Sequence, residues 1–281
     1  MTTETPVKPE KNLDQWYTPS DIARECANVA KQYISPSLII EPSAGEGSLS
    51  DAANSAFWGV SIQSYDIDPK RSDIIEADFL NLPIKTKEQD ATLVFANPPF
   101  GKRATLAIKF FNRSALLAST LAFIVPLQFR KWSVQSKLNP EMRLVYDTQL
   151  PEKTFDGVRC CFQVWKRGGN DPDLRLKAAP KNEHIDFFMW QYNNTREARR
   201  VFGNTFDFAV PRQGYADYTR RETDQKNCER TTQWILFRAN DPMVLDRLMA
   251  LDFSKLAQKN TTTPGFGKAD VVELYNEVYG E

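Results

Sequence analysis

The chain has 281 residues, of which 41% are hydrophobic and 12% aromatic, and its formal net charge is zero. This length suits one large domain, or one domain with a smaller partner. No apolar run approaches the ~20 residues of a membrane span. Four cysteines, with Cys160 and Cys161 adjacent, are too few for a disulfide scaffold, and no Cys/His spacing indicates a metal site. We expect a protein of the reducing cytoplasm without a membrane partner.

Strands and helices alternate through the first 167 residues. Apolar residues at helical spacing predict a helix within 16–34, just after a polar lead-in over 1–15. Short apolar runs predict strands at 37–41, 60–66, within 73–79, and at 91–97, 120–126, 143–150 and 159–165. A strongly apolar segment between the fourth and fifth strands predicts a helix. Alternation of this kind predicts a parallel α/β sheet.

The character of the chain changes near residue 167. Residues 166–182 are rich in Gly, Pro and charge, which is typical of a linker. We therefore predict a lead-in over 1–15, a catalytic domain over 16–167 and a C-terminal region over 168–281. That last region is aromatic, basic and irregular, and its pattern predicts no particular secondary structure. Its arginines that could contact nucleic acid are Arg196, Arg199, Arg200, Arg212, Arg220, Arg221 and Arg230.

One long segment of the first domain carries only positive charge. No acidic residue occurs between Asp90 and Glu141, and the cations there are Lys102, Arg103, Lys109, Arg113, Arg130, Lys131 and Lys137. Such a segment favours a polyanion as partner. A solvated surface with a chance excess of cations is the simpler alternative.

The sequence IIEPSAGEGSL, residues 39–49, leads from a strand into a helix through small residues. Gly45 and Gly47 allow the backbone to approach a ligand closely. Open α/β sheets bind ligands at the carboxyl ends of their strands. Glu41 would place a negative charge beside phosphate oxygens, so the turn suits an amine or a cationic ligand better.

Two acidic residues end the next strands. Asp66 follows Gly45 by 21 residues, a spacing at which a carboxylate can bind a ribose diol. Asp78 could accept a hydrogen bond from an adenine amino group, and Phe79 could stack on the adenine ring. Together these residues describe a nucleoside with a cationic, unphosphorylated tail. S-adenosylmethionine is such a molecule.

The sequence NPPF, residues 97–100, ends a strand with an amide, two prolines and an aromatic ring. A planar amine is a poor nucleophile because its lone pair is delocalised. Two hydrogen-bond acceptors, the Asn97 side-chain oxygen and the Pro98 carbonyl, could hold both of its N–H groups and free that lone pair. Proline rigidity would hold the acceptors in place, and Phe100 could stack on the flat substrate.

These motifs, taken together, resemble those of the amino-group methyltransferases that use S-adenosylmethionine, and specifically the N6-adenine DNA methyltransferases. The resemblance covers residues 16–167 and follows the gamma order of motifs. Its elements are YTP (17–19), EPSAGEG (41–47), YDIDP (65–69), ADFL (77–80), NPPF (97–100) and TFDGVRCCFQVWKR (154–167). The fold that it implies is a Rossmann-like, mixed, mostly parallel seven-stranded sheet with helices on both faces.

The resemblance also implies roles for individual residues. Cofactor contacts are expected from Tyr17, Thr18, Pro19, Glu41, Pro42, Ser43, Ala44, Gly45, Asp66, Ile67, Asp78, Phe79 and Asn97. The catalytic loop would be Asn97, Pro98, Pro99 and Phe100, and the substrate would contact Phe100, Phe155, Lys102 and Arg103. No metal is expected. The target adenine would be flipped out of the duplex, as in the enzymes of restriction–modification systems.

Other activities share this chemistry. Adenine-N6 methylation of RNA needs the same loop, and the C-terminal region permits either nucleic acid. Protein glutamine-N5 methylation also uses an Asn-Pro-Pro loop, but about 40 residues here precede the cofactor turn and more than 100 follow the sheet, unlike the usual arrangement of those enzymes. Cytosine-N4 methylation usually has Ser at the start of its loop. A catalytically inactive nucleic-acid-binding subunit is the alternative from another class.

Overall fold

The computed structural model describes residues 16–83, 91–214, 217–229, 231–257 and 263–280. The predicted lead-in, residues 1–15, lies outside this part of the chain. The described residues form two compact units that divide between Lys177 and Ala178. Each unit is described by itself.

The first unit is built on a seven-stranded sheet. Its strands are β1 (Leu38–Glu41), β2 (Ser61–Asp66), β3 (Ile75–Glu76), β4 (Thr92–Ala96), β5 (Thr120–Pro126), β6 (Met142–Gln149) and β7 (Cys160–Arg167), and their order is β3-β2-β1-β4-β5-β7-β6. Neighbouring strands from β3 to β5 pair in parallel, and β7 is antiparallel to both β5 and β6. The predicted mixed, mostly parallel sheet is confirmed.

Helices of the first unit follow the apolar patterns of the sequence. They are α1 (Ser20–Ala30), α2 (Ser48–Ala56), α3 (Thr105–Ala115) and α4 (Trp132–Gln135), with short 3₁₀ turns at Phe79–Asn81, Lys102–Ala104 and Leu127–Arg130. Helix α1 buries Ile22, Cys26 and three alanines on one face, as its spacing predicts. Every residue of β4 and β5 is buried, so these strands form the centre of the core.

The strand order reverses between β1 and β4. From β1 the chain proceeds outward to β2 and β3, then returns to β4 on the other side of β1. At such a reversal the connections leave the two carboxyl ends in opposite directions, which opens a crevice where α/β sheets bind ligands. Glu41 ends β1, and Asn97 directly follows β4. The topology therefore brings the glycine turn and the NPPF loop to one place.

The second unit has a three-stranded antiparallel sheet. Its elements are β8 (Phe187–Gln191), α5 (Thr195–Val201), β9 (Phe208–Gln213), β10 (Gln233–Ala239), α6 (Pro242–Ala250), α7 (Phe253–Ala257) and α8 (Lys268–Tyr279), with strand order β8-β10-β9. One sheet face packs against α6, α7 and α8, and the other packs against α5.

Neither a membrane-spanning helix nor a metal-binding cluster occurs among the described residues. No helix among them is both long and apolar enough to cross a membrane. Nor do they contain a group of three or more His, Cys, Asp or Glu side chains placed to hold a metal ion.

Candidate active site

The glycine turn after β1 is fastened to the end of β2. Gly45 N donates to Asp66 Oδ2 at 2.7 Å, and Asp68 N donates to Asp66 Oδ1 at 2.9 Å. Ala44 N donates to the Tyr65 carbonyl at 2.9 Å. Asp66 is buried, so these charge-assisted bonds hold the turn firmly. The predicted ribose-binding carboxylate thus also shapes the turn.

Gly45 and Gly47 both adopt positive φ, the left-handed region that favours glycine. Gly45 has φ +52° and Gly47 has φ +84°. A Cβ at Gly45 would lie 3.1 Å from Cε1 of Tyr17, so the turn and the YTP motif are in close contact. A Cβ at Gly47 would meet the Arg71 guanidinium at 2.5 Å. The turn is therefore tightly enclosed by its neighbours.

Glu41 lies beneath the turn as a buried carboxyl with 2% of its surface exposed. Its Oε2 accepts a hydrogen bond from Ser50 Oγ, which also contacts Ser64 Oγ. Burial is the main cause that raises the pKa of Glu41 to about 8, and the Ser50 hydrogen bond opposes it. A cation bound nearby would lower that pKa, and the role of Glu41 toward a positively charged ligand stays a prediction.

Asn97 has a fixed amide and a free oxygen. Its Nδ2 donates to the Trp16 carbonyl at 2.7 Å and to Thr18 Oγ1 at 3.0 Å. A carbonyl only accepts hydrogen bonds, so the amide can have only this orientation. Oδ1 is buried and has no hydrogen-bond partner among the described residues. An unsatisfied buried acceptor costs about 1–3 kcal/mol, and this one lies on the predicted catalytic loop.

The two predicted motifs also meet through the backbone. Ser43 Oγ donates to the Asn97 carbonyl at 3.2 Å, which connects the glycine turn to the NPPF loop. The Phe100 carbonyl accepts from Leu106 N at 3.1 Å and from Ala107 N at 3.2 Å, so the loop is anchored to the start of α3.

Three aromatic rings pack at this loop. Phe100 and Phe155 are buried, with 6% and 2% of their surfaces exposed. Trp16 stacks on Phe100 with ring centroids 6.5 Å apart and 18° between planes, and meets Phe155 edge-on at 6.2 Å. Sequence reasoning missed Trp16 as a site residue, although it directly precedes the YTP motif.

Residues expected around the adenine ring are found in different environments. Ile67 is 56% exposed at the end of β2, which leaves an apolar surface open. Asp78 accepts hydrogen bonds from Leu80 N and from the Asn81 side chain, so it caps a short 3₁₀ turn. Phe79 is 1% exposed and stacks on Phe110 at 5.8 Å. In this conformation Phe79 is a core residue, and its contact with adenine stays a prediction.

The segment after NPPF is strained. Arg103 has φ 56° and Ala104 has φ 60°, the left-handed region that non-glycine residues rarely adopt. Lys102 and Arg103 are exposed, so their side chains could reach a bound polyanion. Pro98 is buried and Pro99 is partly buried, so the loop itself packs against the core.

Tertiary contacts neutralise part of the positive segment. Arg130 forms an ion pair with Asp147 of β6, and its Nε lies 2.8 Å from Asp147 Oδ1. Burial by itself would lower the pKa of Arg130, but the hydrogen bond and charge of Asp147 outweigh it, so the pKa is raised. Its charge is therefore used within the protein.

Several arginines expected to contact nucleic acid instead support the second unit. Arg212 is buried and donates to the Tyr192 carbonyl and to the Phe266 carbonyl, both at 3.1 Å. Arg220 forms ion pairs with two glutamates, and Arg221 donates to four backbone carbonyls. Arg230 lies outside the described residues. Residue type identified these side chains, and only the structure shows that their donors are used within the unit.

A different set of the second unit's side chains is open to solvent. Phe188, 57% exposed, stacks on Trp190 at 6.1 Å, and Arg238 lies directly opposite Phe188 on β10. Helix α5 covers the same sheet face and carries three exposed arginines. We name this the aromatic–cation surface: Phe188, Trp190, Arg196, Arg199, Arg200 and Arg238. Within the described part of the chain, its four arginine side chains have no hydrogen-bond or ion-pair partner.

Comparisons with known proteins give likeness of fold. No protein-family model and no curated protein matches this chain. A Pyrococcus horikoshii protein provisionally named as an RNA methyltransferase aligns with TM-score 0.42 and 14% identity, over 58% of this chain and 93% of its own. A provisionally named class I S-adenosylmethionine-dependent methyltransferase from Listeria monocytogenes aligns with TM-score 0.46 and 16% identity, over 60% and 65%.

The third comparison is with a Vibrio vulnificus protein. It is the modification subunit of a provisionally named type I restriction enzyme, and it aligns with TM-score 0.43 and 13% identity, over 65% of this chain and 48% of its own. This chain therefore spans less than two thirds of the second and third proteins. Likeness at these TM-scores supports no inference about activity, which depends on the site itself.

Proposed function

We propose that this chain is a DNA methyltransferase that transfers a methyl group from S-adenosylmethionine to the N6 amine of a flipped-out adenine. The first unit would carry out methyl transfer, and the second would bind DNA. The observation that carries the proposal is Asn97, whose side-chain oxygen is buried, oriented and without a partner.

The orientation of Asn97 suits a planar amine. Its NH₂ group is occupied by Trp16 and Thr18, so the side chain offers only an acceptor to a ligand. An exocyclic amine carries two N–H donors, and the Pro98 carbonyl would accept the second. Both bonds favour a tetrahedral nitrogen with a free lone pair, which is stabilisation by fixed dipoles. No strong base is required, since the methylated nitrogen becomes acidic and loses its proton to water.

The glycine turn fits a nucleoside with a cationic tail. Glu41 supplies a buried carboxyl for the positive charge, and Gly45 leaves no side chain between Tyr17 and the turn. Asp66 would accept from the ribose, and Ile67 offers an open apolar surface to the adenine. When bound, S-adenosylmethionine supplies an electrophilic methyl group, whose bond to sulfur breaks as its bond to nitrogen forms.

The aromatic–cation surface favours nucleic acid over a protein glutamine as the substrate. Exposed arginines without protein partners can neutralise phosphates, and exposed stacked rings can support unpaired bases. A glutamine methyltransferase has no need of such a surface. Adenine in RNA would use the same features, so experiment must separate it from DNA.

The test is transfer of a tritiated methyl group to unmethylated duplex DNA, followed by mass spectrometry of the nucleosides. Single-stranded DNA, RNA and a glutamine-containing peptide mixture are assayed in parallel. We expect N6-methyladenine in the DNA. Label found only in RNA or only in the peptides would replace DNA by that substrate, and a chain that binds no cofactor would be an inactive binding subunit.

A further inference from the structure

The indole of Trp16 lies at this site, and the proposed chemistry uses only the backbone carbonyl of that residue. Its indole stacks on Phe100, and its edge-on contact with Phe155 completes a packed group of three rings. Trp16 belongs to the irregular stretch before α1, whereas Phe100 is anchored to α3 through its carbonyl. Trp16 is partly buried whereas Phe100 is buried, so Trp16 is the more exposed of the two stacked rings.

The slot beside Asn97 is closed in the described conformation. Phe100 exposes 6% of its surface, and Oδ1 of Asn97 is buried. A flat ring that hydrogen-bonds to Oδ1 and stacks on Phe100 needs both of these surfaces. Something that covers them must move when such a ring enters, and Trp16 is the ring that stacks on Phe100, with centroids 6.5 Å apart.

The contact between Trp16 and Asn97 involves only the backbone of Trp16. Its carbonyl accepts from Asn97 Nδ2 at 2.7 Å, and Thr18 Oγ1 provides a second acceptor at 3.0 Å. The indole can therefore rotate about its own side-chain bonds while the amide of Asn97 stays oriented. Movement of the ring need not disturb the catalytic acceptor.

We propose that the Trp16 indole is a resident occupant of the substrate slot, which the target base displaces from Phe100 when it enters. An indole and an adenine are both flat, fused two-ring systems. The incoming base thus exchanges one aromatic stacking contact for another, and the apolar slot stays closed to water when no base is present. This inference rests on the proposed function in one respect, which is that the ring displacing Trp16 is taken to be adenine.

Substitutions at Trp16 test displacement through the split between KM and kcat. Trp16→Ala removes the competitor but keeps the backbone carbonyl, so we expect KM for DNA to fall about twofold to tenfold, the worth of one aromatic pair. The kcat value is expected to stay within about threefold of wild type. Trp16→Phe should restore a KM near that of wild type. Trp58→Phe is the matched control, because Trp58 is 92% exposed.

A spectroscopic measurement observes the indole directly. The protein is labelled with 5-fluorotryptophan, and the ¹⁹F resonance of Trp16 is identified by its loss in Trp16→Phe. S-adenosylhomocysteine saturates the cofactor site, and then adenosine or a duplex that accepts methyl groups is added. We expect the Trp16 resonance to shift with either probe, while that of Trp58 stays in place. A rise in KM for Trp16→Ala like that for Phe100→Ala would overturn displacement, as would an unmoved Trp16 resonance.

The two proposals can fail separately. If no DNA accepts a methyl group but adenosine still shifts Trp16, the substrate proposal is wrong and displacement stands. If DNA is methylated while the Trp16 resonance does not move, methylation stands and displacement is wrong.

Discussion

The glycine turn after β1 and the loop after β4 lie side by side, yet their polar groups differ. In the turn, both oxygens of Asp66 accept backbone N–H groups, and Glu41 accepts from Ser50. In the loop, Asn97 keeps one buried acceptor without a partner. Satisfied groups hold a shape, whereas an unsatisfied one costs stability until a ligand arrives. The difference identifies the loop as the place where chemistry is expected.

The same contrast divides the arginines of the second unit. Arg212 and Arg221 are held by backbone carbonyls, and Arg220 by carboxylates. The four arginines of the aromatic–cation surface have no such partners within the described residues. Residue type alone does not separate the two sets. Their surroundings do, and substitutions at satisfied and unsatisfied groups should therefore have different effects.

The largest effect is expected from Asn97→Ala. Loss of one of the two acceptors for the amine should lower kcat by about 10²–10³-fold, as for other fixed dipoles in active sites. Cofactor affinity, measured by calorimetry, should stay within about threefold of wild type. Asn112→Ala is the control. The Asn112 side chain donates a 2.9 Å hydrogen bond to the Lys137 carbonyl, which does not belong to the loop. Normal turnover by Asn97→Ala would refute the role given to Oδ1.

Substitution of Asp66, whose two oxygens both accept hydrogen bonds, should change cofactor binding and leave kcat nearly unchanged. Asp66→Asn weakens the bonds from Gly45 N and Asp68 N, so we expect S-adenosylmethionine to bind about 10–100-fold more weakly, the worth of one charge-assisted hydrogen bond. The kcat value at saturating cofactor should change little. Asp73→Asn, an exposed ion-paired carboxylate, is the control. A loss confined to kcat would contradict the role of Asp66 in the turn.

Removing the unpaired arginines of α5 should weaken DNA binding about tenfold at low salt. The triple change of Arg196, Arg199 and Arg200 to Gln should also lower the slope of log K against log salt by about 3, since three phosphate contacts are lost. Fluorescence anisotropy over a salt series measures both quantities. The control removes Arg247, Lys255 and Lys268, which belong to the helices on the opposite sheet face. Equal losses in the two triples would mean that the aromatic–cation surface has no special role.

Glu41→Gln is expected to change the pH dependence of stability. The folded-state pKa of about 8 lies above the ordinary value of 4.5, so the protonated form is favoured by folding. The free energy of unfolding of the wild type should fall by about 1.4 kcal/mol for each pH unit, between about pH 5 and pH 8, relative to the variant. Urea unfolding at several pH values measures this. Parallel pH profiles for the two proteins would contradict the raised pKa.

Local patterns were sufficient to predict the strands of the first unit, whereas its mixed sheet was expected only from the family resemblance. The apolar runs at 37–41 and 120–126 became β1 and β5 nearly residue for residue, because a strand buried on both faces is apolar throughout. The second unit gave no comparable signal. Its strands combine apolar and polar residues, and its fold depends on pairings such as that of β8 with β10, which are distant in sequence.

The sequence by itself determined the order of elements in the first unit, the turn with Gly45 and Gly47, and the acceptor-bearing loop, since these depend on neighbouring residues and on backbone sterics. Only the tertiary structure decided which polar groups remain without partners. It paired Arg130 with Asp147, placed Phe79 in the core and set Trp16 against Phe100. Each of these outcomes depends on contacts between distant segments, and hydrogen bonding and burial are properties of the packed chain.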